Sequence, residues 1–267
     1  AETAVAEGML DAVDLPTGKL TTAGRIETPL DAVQSPQKLR LMVGLSGVEA
    51  ENDWDLWVYP PRVPPAPSDD VLVTRFLDEA ALEQLDGGGK VLLLPGPEAI
   101  DTDVALGFSS IFWNTAWTRG QAPHTLGILC DPEHPALAGF PTEHHTNWQW
   151  WDPVRHGAAM VLDDLPGELR PIVQVVPDWF EPKRLALAFE ARTGGGRLLV
   201  ASMDLARRLD ERPVARQMRF SLLRYMAGDR FDPQVEVSVE QVRSLLKTPP
   251  LLKRLGATIR ADSEAEG

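Results

Sequence analysis

The sequence predicts an α/β fold with a mostly parallel sheet flanked by helices, preceded by a partial β-sandwich. Three observations lead to this prediction. Residues 39–58 alternate apolar and polar side chains, residues 60–67 are rich in proline, and residues 71–94 contain two apolar runs separated by a helical pattern. We therefore expect three segments: a partial sandwich over 1–62, an α/β domain over 68–250 and a C-terminal tail over 251–267.

Composition and charge restrict the class of protein. The 267 residues include 26 Lys plus Arg and 39 Asp plus Glu, for a formal net charge of −13. The 43% hydrophobic and 24% charged residues are typical of a globular protein. Nucleic acid and anionic membranes are not expected partners, because their charge has the same sign. No apolar run reaches the roughly 18 to 20 residues of a spanning helix, and the start at Ala1 leads us to expect a processed or longer protein.

The first sixty residues are expected to form short β-strands. Residues 39–45 alternate with the period of two that is typical of a half-buried strand, and residues 54–58 repeat this pattern after a turn. Glycines and the turn-forming residues 16–18 separate shorter extended pieces before them. About four strands result, whereas a free-standing immunoglobulin-like sandwich needs about seven. The sandwich is therefore predicted to be partial.

A proline-rich connector marks the predicted domain boundary, with five prolines between positions 60 and 67. Each proline ring fixes φ and removes a backbone donor, which favours a stiff, extended link. After the connector, residues 71–73 and 91–94 are continuous apolar runs, as in buried parallel strands. Asp78 can cap a helix between these runs, and the glycines at 87–89 can end it. A β-α-β unit is therefore predicted.

The remaining elements follow from local patterns. The glycines at 194–196 indicate an antiparallel hairpin, and Pro213 begins a helix with one apolar face. A shorter helix is expected over 239–246. Further strands are predicted over 126–129, 172–176, 185–189 and 198–202.

Two patterns associated with catalysis give no site. The glycine triplets at 87–89 and 194–196 precede strands rather than helices, so we exclude a phosphate-binding loop. Cys130 is the single cysteine, which excludes an internal disulfide, and it lacks the glycine-flanked elbow of a nucleophile. A buried, inert thiol is expected in this acidic stretch. An autonomous hydrolase or amidotransferase-like enzyme that uses Cys130 or the nearby histidines is the alternative.

Four of the five histidines lie between His134 and His156, beside several carboxylates. Such a cluster could bind zinc, but the sequence has no HExxH helix, and adjacent His144 and His145 would point to opposite sides of a strand. We therefore predict no metal and no cofactor. The histidines are expected to act as hydrogen-bonding loop residues.

Tryptophan is concentrated in two loop-like segments, which hold five of the eight indoles beside amides and carboxylates. Indoles stack on sugar C–H surfaces while amides and carboxylates bind hydroxyls, so this pattern indicates carbohydrate contact. Tryptophan is also typical of domain interfaces. Both a docking role and direct sugar contact remain open. The predicted surface consists of Trp113, Asn114, Trp117, His134, His144, Asn147, Trp148, Trp150, Trp151 and Asp204.

These strings resemble a known family. Residues 52–60 resemble the last strand of a sandwich domain in bacterial glycoside hydrolase family 2 proteins of the β-galactosidase type. The resemblance covers most of the chain. It implies a second domain of the flavodoxin-like, class I glutamine amidotransferase-like fold, which such proteins carry as a non-catalytic accessory or trimerisation domain. The strings that resemble the following segment are 112–115, 134–137, 140–143, 147–151 and 202–205.

The resemblance implies a non-catalytic accessory region of a larger periplasmic or secreted glycosidase. Family 2 hydrolysis needs two carboxyl groups roughly 5 Å apart in a (β/α)8 barrel, for which this length leaves no room, so no catalytic residue is assigned. No GxCxG elbow is present, so amidotransferase activity is not implied. The expected partner is the catalytic barrel, and an oligosaccharide and a second copy of the chain are further candidates. A freestanding carbohydrate-binding module is a third hypothesis.

Overall fold

The computed structural model describes residues 4–64, 70–108 and 124–247. Its first sheet is an antiparallel pair, β1 (Gln37–Gly44) and β2 (Glu51–Val58). Residues 4–36 contain no regular strand. This part of the chain therefore holds two strands rather than the predicted four, and it does not form a sandwich within the described residues.

The second sheet has seven strands in the order β3-β4-β9-β8-β7-β5, with β6 pairing with β8 outside this path. β3, β4 and β9 are parallel to each other, and the pairs of β8 with β9, β7 and β6 and of β7 with β5 are antiparallel. The strands are β3 (Val71–Thr74), β4 (Lys90–Leu93), β5 (Thr125–Cys130), β6 (Met160–Val161), β7 (Val173–Pro177), β8 (Leu185–Thr193) and β9 (Gly196–Ala201).

Four α-helices lie in the described ranges, and two of them begin at the predicted signals. The Asp78 carboxylate accepts a hydrogen bond from the Ala81 N–H at 3.1 Å and caps the first helix. The long helix begins at Pro213, where the missing N–H costs no helical bond. The helices are α1 (Glu79–Asp86), α2 (Trp151–Arg155), α3 (Pro213–Ala227) and α4 (Val239–Ser244).

The central strands β4 and β9 of the seven-stranded sheet are buried on both faces. In β4, Leu92 packs into the core that α3 helps to form, whereas Val91 and Leu93 pack into the core that α1 helps to form. In β9, Leu199 and Val200 divide between the two cores in the same way. These two strands therefore alternate between two apolar layers, whereas β5 exposes Leu129 and β7 exposes Gln174.

The predicted fold class, a mostly parallel flavodoxin-like sheet flanked by helices, is wrong. The sheet is mixed, because only the link from β3 through α1 to β4 is a helical crossover between adjacent strands in the described chain. The link from β8 to β9 is a tight turn, with φ of 60° at Gly194 and 95° at Gly195, and it forces an antiparallel pair. The continuous apolar runs indicate that a strand is buried on both faces, but they do not indicate its direction.

Polar contacts join the β1–β2 pair and the residues directly after it to the part of the chain that holds the larger sheet. The Lys38 ammonium pairs with the Glu143 carboxylate, and the Tyr59 hydroxyl donates to the Gln149 side-chain oxygen. The Arg216 guanidinium donates to the Pro60 carbonyl oxygen at 3.3 Å. One side of the β1–β2 pair is therefore fixed against the larger sheet. Over the described ranges, no helix is long and apolar enough to cross a bilayer.

Candidate functional site

Three aromatic side chains form a partly exposed cluster, which we call the aromatic surface: Phe108, Trp148 and Trp151. Trp148 is 70% exposed and Trp151 is 47% exposed. The Phe108 ring lies 5.2 Å from each indole, and the two indoles lie 6.3 Å apart. Phe108 also packs against the core on the α3 side. The two indoles thus contact a partly buried ring that also packs against the core.

The backbone around Trp148 explains why neighbouring tryptophans face different ways. The Asn147 side-chain oxygen caps the 3-10 turn Trp148–Trp150 by accepting from the Gln149 N–H at 3.1 Å. The helix α2 then begins at Trp151. Residues three apart share a side of such a turn, which places Trp148 and Trp151 together. Trp150 points inward.

Trp150 belongs to the core. It is fully buried, and its indole N–H donates to the Thr142 hydroxyl at 2.9 Å. Its ring meets Phe140 edge-on at 5.4 Å. The nearby Gln149 is almost fully buried and accepts from Tyr59. Gln149 and Trp150 therefore belong to the core and to the contact with the first sheet.

A network of charged side chains holds α2 in place. We call it the ionic chain, and it consists of Asp152, Arg212, Asp204, Arg207 and Glu98. The Asp152 carboxylate accepts two hydrogen bonds from the Arg212 guanidinium, each 2.9 Å long. The same guanidinium donates to the Asp204 carbonyl oxygen at 2.8 Å. Arg207 continues the network, because its guanidinium bridges the carboxylates of Asp204 and Glu98 at 2.7 and 3.2 Å.

The ionic chain lies where three parallel strands end. Glu98, which also pairs with Arg75 at 2.7 Å, follows β4, and Asp204 follows β9. Because the carboxyl ends of parallel strands meet at one edge of a sheet, these side chains converge. Burial opposes the ionisation of Asp204, but hydrogen bonds from the Arg207 side chain and from the N–H groups of Ala206 and Arg207 outweigh it. The pKa of Asp204 is therefore lowered.

Cys130 does not have the surroundings of a nucleophile. It is buried, and its thiol donates to the Glu143 carbonyl oxygen at 3.2 Å. Burial raises the pKa of Cys130 to about 11, so the group is a neutral thiol near pH 7. His144 contacts the backbone carbonyl of Cys130 at 3.2 Å rather than the thiol. A cysteine–histidine catalytic pair is not formed by these two residues.

The histidines are dispersed. His134 accepts from the Ala136 N–H at 3.2 Å and lies against the Tyr225 ring, and burial lowers the pKa of His134. His145 lies 3.9 Å from Glu143, whereas His156 lies 3.1 Å from Asp152 in α2. No three His, Cys, Asp or Glu side chains in the described part of the chain could hold a metal ion together.

Residues 72–247 match a family described as a domain of unknown function, DUF8487, and residues 1–60 match a second one, DUF8488. The first match spans more than half of the chain. The chain belongs to the DUF8487 family. No curated protein matches it. Neither description names a glycoside hydrolase or an amidotransferase.

The predicted surface residues divide into several groups within the DUF8487 segment. Asn147, Trp148 and Trp151 belong to the aromatic surface or support it, and Asp204 belongs to the ionic chain behind it. Trp150 is a core residue. His134 and His144 lie near the carboxyl end of β5. β5 runs in the opposite direction to β9, because β8, β7 and β5 are each antiparallel to the strand before them in the sheet order. The two histidines therefore lie at the opposite end of the strands from Asp204, which follows β9. Trp113, Asn114 and Trp117 lie outside the described residues.

Sequence reasoning missed three residues of this DUF8487 site. Phe108 lies four residues before the aromatic string that begins at Phe112, but it belongs to no motif of its own. Arg212 directly precedes the predicted helix start at Pro213, and its partner Asp152 stands beside the tryptophan string, but no local pattern links the two residues. Glu98 had no recognisable signal, because its partners Arg75 and Arg207 come from distant positions in the chain.

A shallow cleft of about 450 Å³ lies where Lys38 of β1 meets the segment from Pro132 to Glu143. Its Glu143 carboxylate accepts from Lys38 and from the Asn147 amide, and these bonds lower the pKa of Glu143. Lys38 and Glu143 of this cleft are therefore occupied in holding the β1–β2 pair to the rest of the chain. The aromatic surface is the better candidate for binding.

Proposed function

We propose that this DUF8487 chain is a non-catalytic accessory region of a periplasmic or secreted glycosidase, and that its aromatic surface docks against the catalytic barrel. The observation that carries the proposal is the exposure of Trp148 and Trp151 in a fixed arrangement. Exposed apolar patches with a polar rim mark interaction sites, and tryptophan is prominent among the residues that dominate binding energy.

The rigidity of this surface supports a docking role. Trp151 begins α2, and the next residue, Asp152, is tied to Arg212 by two hydrogen bonds. The indoles also share Phe108 as a common support. Side chains that are already ordered lose less conformational entropy on binding, which favours affinity.

The described chemistry favours a binding role over an enzyme that uses Cys130. The thiol is neutral near pH 7, and its described hydrogen bond goes to a backbone carbonyl. His134 and His144 are each engaged with backbone groups. Nucleophilic catalysis needs a base in contact with the nucleophile, and these residues do not provide one.

The ring geometry favours a protein partner over a sugar chain. A flat glycan-stacking platform needs parallel rings, but the planes of Trp148 and Trp151 differ by 52°, and those of Phe108 and Trp151 differ by 86°. The Arg155 guanidinium also lies 5.5 Å from the centre of the Trp151 ring and occupies one of its faces. The shape is that of a ridged apolar patch suited to a complementary protein surface.

Site-specific oxidation of tryptophan tests the docking proposal. The isolated chain and the complete gene product that contains it are exposed to hydroxyl radicals, and oxidation at each indole is measured by mass spectrometry. We expect Trp148 and Trp151 to be oxidised in the isolated chain and protected in the gene product. The buried Trp150 and the exposed Trp54 serve as internal references. Equal oxidation of Trp148 in both samples, or a gene product without a barrel, would refute the proposal.

Calorimetry separates docking from carbohydrate binding. The isolated chain is titrated with galactose- and glucose-containing oligosaccharides. Docking alone predicts no heat, because the barrel is absent. A binding heat that disappears in the Trp148→Ala variant would instead assign the chain as a carbohydrate-binding module.

A further inference from the structure

Glu190 is a partly buried carboxyl group on β8 that takes no part in the ionic chain. In the antiparallel register it lies opposite Leu199 of β9, which belongs to the core on the α3 side. Side chains directly opposite each other share a face of the sheet, so Glu190 also faces α3. Its Oε2 atom is buried and has no hydrogen-bond partner among the described residues. An ionised carboxylate at this position would therefore keep one oxygen without a donor.

The groups closest to Glu190 do not favour its ionisation overall. Burial opposes ionisation most strongly, and the negative charge of Asp232 adds to this effect. A hydrogen bond with the Tyr225 hydroxyl of α3 favours the ionised form but does not outweigh burial, so the pKa of Glu190 is raised. The positive charge of Arg230 acts on the Tyr225 hydroxyl, and His134 packs edge-on against the Tyr225 ring.

Two arginines lie nearby on the same face of the sheet. Arg192 of β8 and Arg197 of β9 are opposite each other in the register, two residues along from Glu190 and its partner. The Arg197 guanidinium donates to the Phe231 carbonyl oxygen at 3.1 Å, and Arg192 is exposed. In the described part of the chain, neither guanidinium donates to the buried Oε2 atom of Glu190. The burial of this oxygen is therefore not compensated by the nearby cations.

Residues 228–237, which we call the edge segment, run beside β8 close to Glu190. The Arg192 N–H donates to the Val235 carbonyl oxygen, and the Val237 N–H donates to the Arg192 carbonyl oxygen, each at 2.8 Å. The Thr193 hydroxyl also donates to the Val237 carbonyl oxygen at 2.9 Å. The edge segment is thus paired with β8 two to three residues from Glu190.

We propose that the edge segment is a pH-sensitive switch, which is closed against β8 when Glu190 carries a proton and loosens when Glu190 is ionised. Phe231 of this segment is fully buried and meets the Tyr225 ring at 5.4 Å, so its displacement would admit water to the Glu190 carboxyl group. Water would supply the missing donor for Oε2. The same movement would take Asp232 away from Glu190. Both changes stabilise the charged form, so ionisation favours the loosened state.

The switch closes in acid and loosens as the pH rises. A carboxyl group whose pKa is higher in the closed state binds its proton more tightly there, which favours that state in acid. This preference is complete below the ordinary pKa of 4.5 and is lost as the pH rises through the raised pKa of Glu190. Arg230 of the edge segment lines the cleft beside Lys38, so loosening would also change the shape of that cleft. Since none of these residues belongs to the aromatic surface, the switch is independent of the proposed function.

Amide hydrogen exchange of the whole chain, measured by NMR, tests the switch. The N–H groups of Arg192 and Val237 report on the edge segment, because their hydrogen bonds join it to β8. Glu190→Gln mimics the protonated side chain. At pH 8 we expect both reporter amides to exchange at least about threefold faster in the wild type than in Glu190→Gln, whereas at pH 4 the two proteins should exchange at the same rate. The Leu94 N–H, which is bonded to another part of the sheet, should not differ between the two proteins.

Two further variants sharpen the test. Glu236→Gln is the matched control, because it removes one charge from an exposed position of the same edge segment, and its reporter amides should keep the wild-type rates. Tyr225→Phe removes the hydroxyl that favours ionised Glu190. Its reporter amides should therefore exchange faster than those of the wild type at pH 8. Near-ultraviolet circular dichroism checks that each variant is folded.

Three results would overturn the proposal. Equal exchange of the reporter amides in the wild type and Glu190→Gln at pH 8 would mean that ionisation does not loosen the edge segment. A difference of the same size at pH 4 and pH 8 would mean that the charge of Glu190 is not its cause. If the Leu94 N–H accelerates as much as the reporter amides, ionisation of Glu190 destabilises the whole domain rather than one segment.

Discussion

Arg212 and Asp152 are joined by two parallel hydrogen bonds of 2.9 Å each, between the start of α3 and the second residue of α2. Both side chains are largely buried, with 10% and 19% of their surfaces exposed. Arg212 also donates to the carbonyl oxygens of Asp204 and Arg207. One guanidinium therefore ties the helix that carries Trp151 to the segment that follows β9.

Arg212→Ala should lower the free energy of unfolding by about 3 kcal/mol, because breaking a buried ion pair leaves a buried carboxylate with too few partners. The measurement is urea denaturation at pH 7. The oxidation rate of Trp151 should also rise, since α2 loses its main tie. Lysine at position 212 should recover little of this stability, because a single ammonium cannot reproduce the two-pronged contact.

Glu211→Gln is the control for this prediction. It breaks the Arg208–Glu211 pair, in which both side chains are mostly exposed. Solvent screens such a pair, so we expect no measurable change in the denaturation midpoint. If Arg212→Ala lowers the free energy of unfolding no more than Glu211→Gln does, the buried pair does not hold α2 in place.

Trp150→Ala and Trp148→Ala should have very different effects although the residues are two positions apart. Trp150 is fully buried and hydrogen-bonded to Thr142, so its truncation should cost about 3–5 kcal/mol of stability. Trp148 is mostly exposed, so its truncation should lower the free energy of unfolding by about 1 kcal/mol at most. Thermal and urea unfolding measure both. Similar costs would contradict the division of this string into core and surface.

Much of the secondary structure could be predicted from the sequence because its signals are local. Asp78 and Pro213 mark helix starts in their own neighbourhood, and the apolar runs of β4 and β9 are visible without knowing their partners. Strand direction could not be predicted in this way. An apolar run such as β8 is the same whether its neighbours are parallel or antiparallel, as long as both faces are covered.

The part of the candidate site that could be predicted is likewise the part with a local signal in the sequence. The tryptophan string could be recognised from its composition. A loop, however, has no regular hydrophobic periodicity from which the buried Trp150 could be distinguished from the exposed Trp148. Arg212 could not be assigned, because its partner Asp152 lies 60 residues earlier in the sequence. Contacts of this kind depend on how β9 and α3 return to the sheet edge, which local patterns do not encode.

Cys130 should resist alkylation in the folded chain at pH 8 and react rapidly in urea. Burial raises its pKa to about 11, so the reactive thiolate is scarce until the chain unfolds. Stability should also fall as the pH rises from about 8.5, the value for an unfolded cysteine, toward 11. In that range the unfolded thiol loses its proton while the folded thiol keeps it. Cys130→Ala should lack this part of the pH dependence, and rapid alkylation of the native thiol would contradict the prediction.

Asp204→Asn should be most destabilising at neutral pH and least destabilising in acid. The folded-state pKa of Asp204 is lowered, since hydrogen bonds from Arg207 and from the Ala206 N–H outweigh the effect of burial. The carboxylate therefore contributes stability that is present above about pH 4, its unfolded value, and that is lost as the pH falls through the lower folded pKa. Urea denaturation of both proteins between pH 7 and pH 2 measures the gap between them. A gap of constant size across this range would mean that the charge of Asp204 does not hold the ionic chain together.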